Sequence, residues 1–119
     1  MIAYGHPGPR ALSDVDAIVR FDAPPPEIGE ADILVRVSYV GLNSLDAKLR
    51  ATAKATADRP RILGFEGAGR IEAIGRAVSG FAVGDRVAWL GQIDRQGATA
   101  ELASVDYRLA AQVPPCLSL

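Results

Sequence analysis

Cysteine, histidine and tryptophan each occur once in 119 residues, as Cys116, His6 and Trp89. One cysteine excludes an intrachain disulfide and a four-cysteine zinc lobe. It also suits a reducing, cytoplasmic setting. A catalytic zinc takes three protein ligands, usually His, Cys or carboxylate. His6 stands near one end and Cys116 near the other, while Asp46 and Glu66 have no nitrogen or sulfur partner at useful spacing. No metal is therefore expected. His6, followed by Pro7, is expected as an exposed turn residue, and Cys116 as a tail residue. A single histidine must also serve any catalytic triad, and no Gly-x-Ser-x-Gly elbow occurs.

Charge of one sign is lacking as well. Lys and Arg total 13 against 14 Asp and Glu, a formal net charge of -1. This gives no electrostatic reason to expect nucleic acid or an anionic membrane as partner. No apolar run approaches the ~20 residues needed to cross a bilayer. The first six residues show no basic region followed by an apolar core, so no signal peptide is expected.

What is present is ordinary in bulk: 49% hydrophobic and 23% charged residues, as in a soluble globular domain. The length fits one domain, 1–119, able to bury roughly two-thirds of its unfolded surface. Twelve glycines and eight prolines punctuate the chain at short intervals. Between them, residues 2–4, 17–21, 33–42, 70–74, 86–90, 100–105 and 108–113 read as strands. The clearest is 33–42, where Val35, Val37 and Tyr39 alternate with Arg36 and Ser38, the period of a half-buried strand. Tyr39 and Trp89 are expected to be packing residues. Residues 44–53 carry Leu45 and Leu49 at helical spacing behind Ser44 as a possible N-cap. The stretch 52–61 is small and polar and reads as an exposed loop. Pro24-Pro25-Pro26 reads as a rigid connector. Many short strands with frequent turns, and no strand–helix alternation, give a mainly β barrel or sandwich.

The glycine pattern stops short of a dinucleotide fingerprint. Gly67-Ala68-Gly69 begins one, but Glu72 stands where the third glycine belongs and no helix follows. Gly64, Gly67 and Gly69 are compatible either with backbone passing close to a partner or with a tight loop entering a strand.

Four blocks in order carry a resemblance. From Gly41 the chain reads Gly-Leu-Asn-Ser-Leu-Asp-Ala-Lys-Leu-Arg, and from Arg61 Arg-Ile-Leu-Gly-Phe-Glu-Gly-Ala-Gly-Arg-Ile-Glu-Ala-Ile-Gly. From Gly80 it reads Gly-Phe-Ala-Val-Gly-Asp-Arg-Val-Ala-Trp-Leu-Gly, and from Gly97 Gly-Ala-Thr-Ala-Glu-Leu-Ala-Ser-Val-Asp. This resembles the N-terminal domain of medium-chain dehydrogenase/reductases, most of all quinone oxidoreductases and zinc-type alcohol dehydrogenase-like proteins. The resemblance implies a GroES-like, partly open β-barrel with one or two short helices. It further implies a Rossmann domain, expected to be absent from this chain, which binds the nicotinamide cofactor, NADPH. Substrate would lie in the cleft between the two.

In zinc alcohol dehydrogenases a cysteine stands at the position of Asn43 and a histidine at that of Phe65. The resemblance therefore implies a zinc-independent reductase, in which hydride passes to an electron-poor quinone or α,β-unsaturated carbonyl. Asn43 would face the nicotinamide ribose or the substrate and donate to a developing oxyanion. Lys48 would supply a proton or positive potential, or be a solvated helix lysine. Glu66 would shape the cleft beside Phe65, and Asp46 would cap or anchor the helix. The face meant for the Rossmann domain is expected to be apolar, favouring a homodimer or partner binding. The alternative is a stand-alone GroES-like binding or assembly module. The loop at 53–61 lacks the apolar tripeptide with which GroES grips its chaperonin.

Overall fold

Two antiparallel sheets share one chain segment. The computed structural model describes residues 1–11, 13–52 and 54–119. The first sheet holds β1 (Ile2–His6), β2 (Val19–Asp22) and β4 (Arg61–Ile62), in the order β2-β1-β4. The second holds β3 (Asp32–Gly41), β5 (Glu66–Ile74), β6 (Arg86–Leu90), β7 (Leu102–Asp106) and β8 (Ala110–Gln112), in the order β7-β3-β5-β6-β8. Ahead of β7, the Tyr4 N–H donates to the Thr99 carbonyl at 2.8 Å and the Glu101 N–H to the Ile2 carbonyl at 3.1 Å. The chain there leaves the edge of β1 and runs on into the second sheet. The barrel is partly open, as the GroES-like resemblance implies, with a helix α1 (Ser44–Thr52) and a 3-10 turn (Tyr107–Leu109). The expected helix end at Ala53 lies outside the described residues.

The core lies under the second sheet. Ile33, Val35, Ile71, Val87, Trp89, Ala98, Ala103 and Val105 form one buried cluster. Phe81 closes one side of it, edge-on to Tyr107 with ring centroids 6.4 Å apart. Trp89 packs as expected, but Tyr39 does not: it is 60% exposed. The cause is a bulge. Val37 pairs with Gly69 and Tyr39 with Ala68, so Ser38 is an extra residue on β3. One inserted residue flips the faces of those that follow, and the alternation that buries Val35 turns Tyr39 outward.

β5 begins four residues earlier than the sequence pattern predicts, at Glu66. After Glu66 come glycine, alanine and glycine, poor strand formers by propensity, held by pairing with β3 on one side and β6 on the other. The glycines there serve the sheet. A Cβ on Gly67 would stand 2.7 Å from the Trp89 ring, and one on Gly69 would collide with the Arg36 carbonyl. The 52–61 stretch is largely exposed, as expected, and carries a small turn in which Thr56 and Arg59 exchange backbone hydrogen bonds.

Candidate functional site

Where β3 runs into α1, Asn43 caps the helix. Its side-chain oxygen accepts the Leu45 N–H at 2.8 Å, and its own N–H donates to the Asp46 carboxylate at 3.0 Å. This is a reciprocal capping box, with asparagine at the cap and a carboxylate three residues on. The cap is thus Asn43, not Ser44. The amide oxygen of Asn43 is committed to the helix, and its NH2 is left to donate outward from an exposed position.

Asp46 does more than complete the cap. It is buried, and its second oxygen accepts the Gly64 N–H at 2.9 Å. One carboxylate therefore joins the start of α1 to the turn before β5. Gly64 has φ +95°, and a Cβ there would stand 2.6 Å from the Thr99 hydroxyl and 2.8 Å from Val40. Only glycine fits that backbone and that space. The next residue, Phe65, is half-buried, and its carbonyl accepts the Gly91 N–H at 2.5 Å. Glu66 pairs in register with Gly41, and its carboxylate lies across the space a Gly41 side chain would fill. The fold thus gathers Asn43, Phe65 and Glu66 at one corner, with Asp46 as the tie.

Lys48 is placed differently. It is exposed on α1, whose inward side is formed by Asp46 and Arg50 with half-buried Leu45 and Leu49. No recorded hydrogen bond or ion pair joins Lys48 to the other three side chains.

Beside the corner, the outer face of the second sheet forms a shallow hollow. Its floor is small: Gly41, Gly67, Ala68, Ala88, Ala110 and Ala111. Tyr39, Leu90 and Leu109 stand at its rim, 60%, 54% and 41% exposed, with Glu66 and Arg108 as its charged members. Sequence reading missed this surface. Its one signal was the run of small residues on paired strands. Arg108 is held by Asp106, which accepts from its Nε at 2.9 Å and its guanidinium NH2 at 2.5 Å. These bonds, with the Arg108 N–H, bring the Asp106 carboxyl down to about 2. On the neighbouring strand, burial pushes up the carboxyl of Asp32, the cross-strand partner of Asp106. Hydrogen bonds from Arg95, Gly29 and Ser104 outweigh that and hold it below its ordinary value.

The donor set at the corner does not suit zinc. An asparagine amide is a poor ligand and a phenylalanine ring is none. Among the described residues no three His, Cys, Asp or Glu side chains come together. His6 is not the exposed residue expected from the sequence. It is fully buried at the end of β1, where that strand pairs with β4. A cradle for a dinucleotide pyrophosphate has no candidate either, since Gly67-Ala68-Gly69 lies within β5. Among the described residues no helix is long and apolar enough to cross a membrane.

Residues 29–115 match the alcohol dehydrogenase GroES-like domain family, and the chain belongs to it. It is a GroES-like domain of the medium-chain dehydrogenase/reductase type. A zinc-type alcohol dehydrogenase-like protein of Staphylococcus aureus is 39% identical over 87 residues, covering 73% of this chain and 26% of that protein. The quinone oxidoreductase of Pseudomonas syringae superposes with a TM-score of 0.81 at 27% identity, over 98% of this chain and 34% of its own. A mycobacterial protein solved as a complex with NADPH superposes with a TM-score of 0.84 at 26% identity, over 99% of this chain and 35% of its own. The chain thus spans about a quarter of the length of the curated relatives it matches.

Proposed function

We propose that this chain is the substrate-side half of a zinc-independent, NADPH-dependent reductase of quinones or α,β-unsaturated carbonyls. The observation that carries the reading is Asn43. Its amide oxygen is locked in the helix cap, so the group it offers to the cleft is a hydrogen-bond donor. A fixed donor suits an acceptor oxygen that gains negative charge during reduction. Phe65 and Glu66, held beside it through Asp46, give that position one apolar and one anionic neighbour. Together they shape a cleft for a flat, electron-poor substrate.

NADPH would supply the hydride, and the pyrophosphate grip would come from a nucleotide-binding domain or subunit outside this chain. The greater length of the relatives supports that division. So does the hollow beside the corner, whose exposed Tyr39, Leu90 and Leu109 suit a covering partner. Lys48, five residues after Asn43, would act only at long range, as positive potential near the corner. The Gly67-Ala68-Gly69 run lies within β5 and, among the described residues, offers no phosphate cradle, so the 119-residue chain alone is expected neither to bind NADPH tightly nor to oxidise it with simple quinones.

The test is to join this chain to the nucleotide-binding domain of a relative and assay quinone and enone reduction with NADPH. The reading expects turnover that survives a zinc chelator and falls about 100-fold in Asn43→Ala, the size of a lost oxyanion donor. Turnover that requires added zinc, or an Asn43→Ala variant as active as its parent, would sink it.

A further inference from the structure

His6 is the only histidine of the chain, and the site above does not use it. It is fully buried, and neither ring nitrogen makes a hydrogen bond of ordinary geometry, the Gly8 backbone being the nearest polar group that acts on it. Buried polar groups are nearly always paired, so such a ring is tolerated best when neutral. Its charged neighbours are both cationic. Arg61 is its cross-strand partner on β4, so the two side chains leave the same face of the sheet. Arg50 approaches from the inward side of α1 and is itself buried.

The carboxylates on these elements are committed elsewhere. Asp46 holds Asn43 and Gly64, and Asp94 acts on Arg61. A proton on His6 would therefore add a positive charge in buried space near two guanidiniums, and among the described residues no carboxylate is left free to pair with it. Arg50 is also a clamp: both of its terminal nitrogens donate to the Arg10 carbonyl at 3.0 Å, tying the segment after β1 to the helix.

We propose that His6 is an acid-sensitive latch, whose protonation repels Arg50 and Arg61 and frees the segment after β1 together with α1. Because α1 carries Asn43 and Asp46, the same event loosens the corner that positions Phe65 and Glu66. The device depends only on packing and charge, so it stands or falls separately from the proposed reductase activity. Burial lowers the imidazole from its ordinary 6.5; the Gly8 backbone opposes this by favouring the protonated ring, and the charges of Arg50 and Arg61 add to the lowering. For a base held below its unfolded value, stability is complete above that value and is lost as pH falls through the folded one.

As the only histidine, His6 gives an unambiguous NMR titration in the full 119-residue chain. The latch predicts a midpoint below 6.5. It also predicts that protection of the α1 amides against hydrogen exchange falls between about pH 7.5 and 5, while that of β3 and β5 persists. Over that range the folding constant should drop on the order of tenfold, and His6→Gln should abolish most of the drop. Should that variant fail to fold, the titration and exchange of the unmodified chain decide alone. A midpoint at or above 6.5, or α1 protection indifferent to the titration of His6, overturns the proposal.

Discussion

At the scale of single residues, the candidate site rests on one buried carboxylate. Asp46 accepts two backbone N–H groups, one from Asn43 in its own cap and one from Gly64, 18 residues further along the chain. Replacing it with alanine leaves the buried Gly64 N–H without an acceptor, at a cost of about 3 kcal/mol for two charge-assisted bonds and the stranded donor. Urea denaturation of Asp46→Ala checks this; a loss below about 1 kcal/mol would show the tie to be unimportant. Gly64→Ala meets both a positive φ and the Thr99 hydroxyl, and should cost about 1–3 kcal/mol from backbone strain alone.

The identities of Asn43, Phe65 and Glu66 were legible because they stand in motifs with fixed order. Their juxtaposition was not, since it depends on a backbone N–H, and backbone groups leave no mark in a sequence. The cap was partly legible: Asn43 with Asp46 has capping-box spacing, yet Ser44 is an equally good cap by residue type. His6 was misread for a related reason. A histidine before proline looks like a turn, and nothing local shows that the two-residue β4 will pair with it.

At the scale of elements, alternation predicted β3 and β6 well, and failed where geometry departs from a regular strand. The Ser38 bulge moved Tyr39 from the core to the rim of the hollow. The start of β5 was hidden because Gly67 and Gly69 have no side chains to alternate. They are glycines because Trp89 and the Arg36 carbonyl occupy the space. The two-residue β4 was too short to carry any pattern and exists by pairing with β1.

The connection from β7 to β8 is fixed electrostatically. Asp106 accepts the Arg108 N–H at 3.0 Å at the start of the 3-10 turn, and pairs with the Arg108 side chain. Its carboxyl lies at about 2 rather than 3.8, so its contribution is complete above 3.8 and is lost as pH falls toward 2. Arg108→Ala removes the main cause of that depression. Its acid unfolding midpoint is expected to move upward relative to the parent, followed by circular dichroism between about pH 5 and 2. An unchanged midpoint would mean that Asp106 does not govern the acid limb. Arg108 is largely exposed, so the shift should shrink in high salt.

At the scale of the whole molecule, the mainly β class was readable from many short strands, frequent glycine and proline and one helical segment, while the partly open barrel was implied by the family resemblance. On the proposed reading, part of what gives the domain a function would lie beyond it. The corner of Asn43, Phe65 and Glu66 offers a donor, an apolar surface and a carboxylate, but no grip for a dinucleotide. In that reading, the hollow of Gly41, Gly67 and Ala68 with its apolar rim would be covered by the partner. Elemental analysis of the purified chain should find no stoichiometric zinc, because the corner presents asparagine and phenylalanine where zinc ligands would be needed. One zinc per chain would mean that metal ligands lie elsewhere.

The central claim, that this domain acts as one half of a reductase, is tested most directly by the mass of the polypeptide as its own cell makes it. The account predicts a mass well above the 12.5 kDa of this chain, or a 12.5 kDa chain that co-purifies with a cofactor-binding subunit. A native 12.5 kDa protein with no such subunit would contradict it, and would leave a stand-alone binding module as the better description.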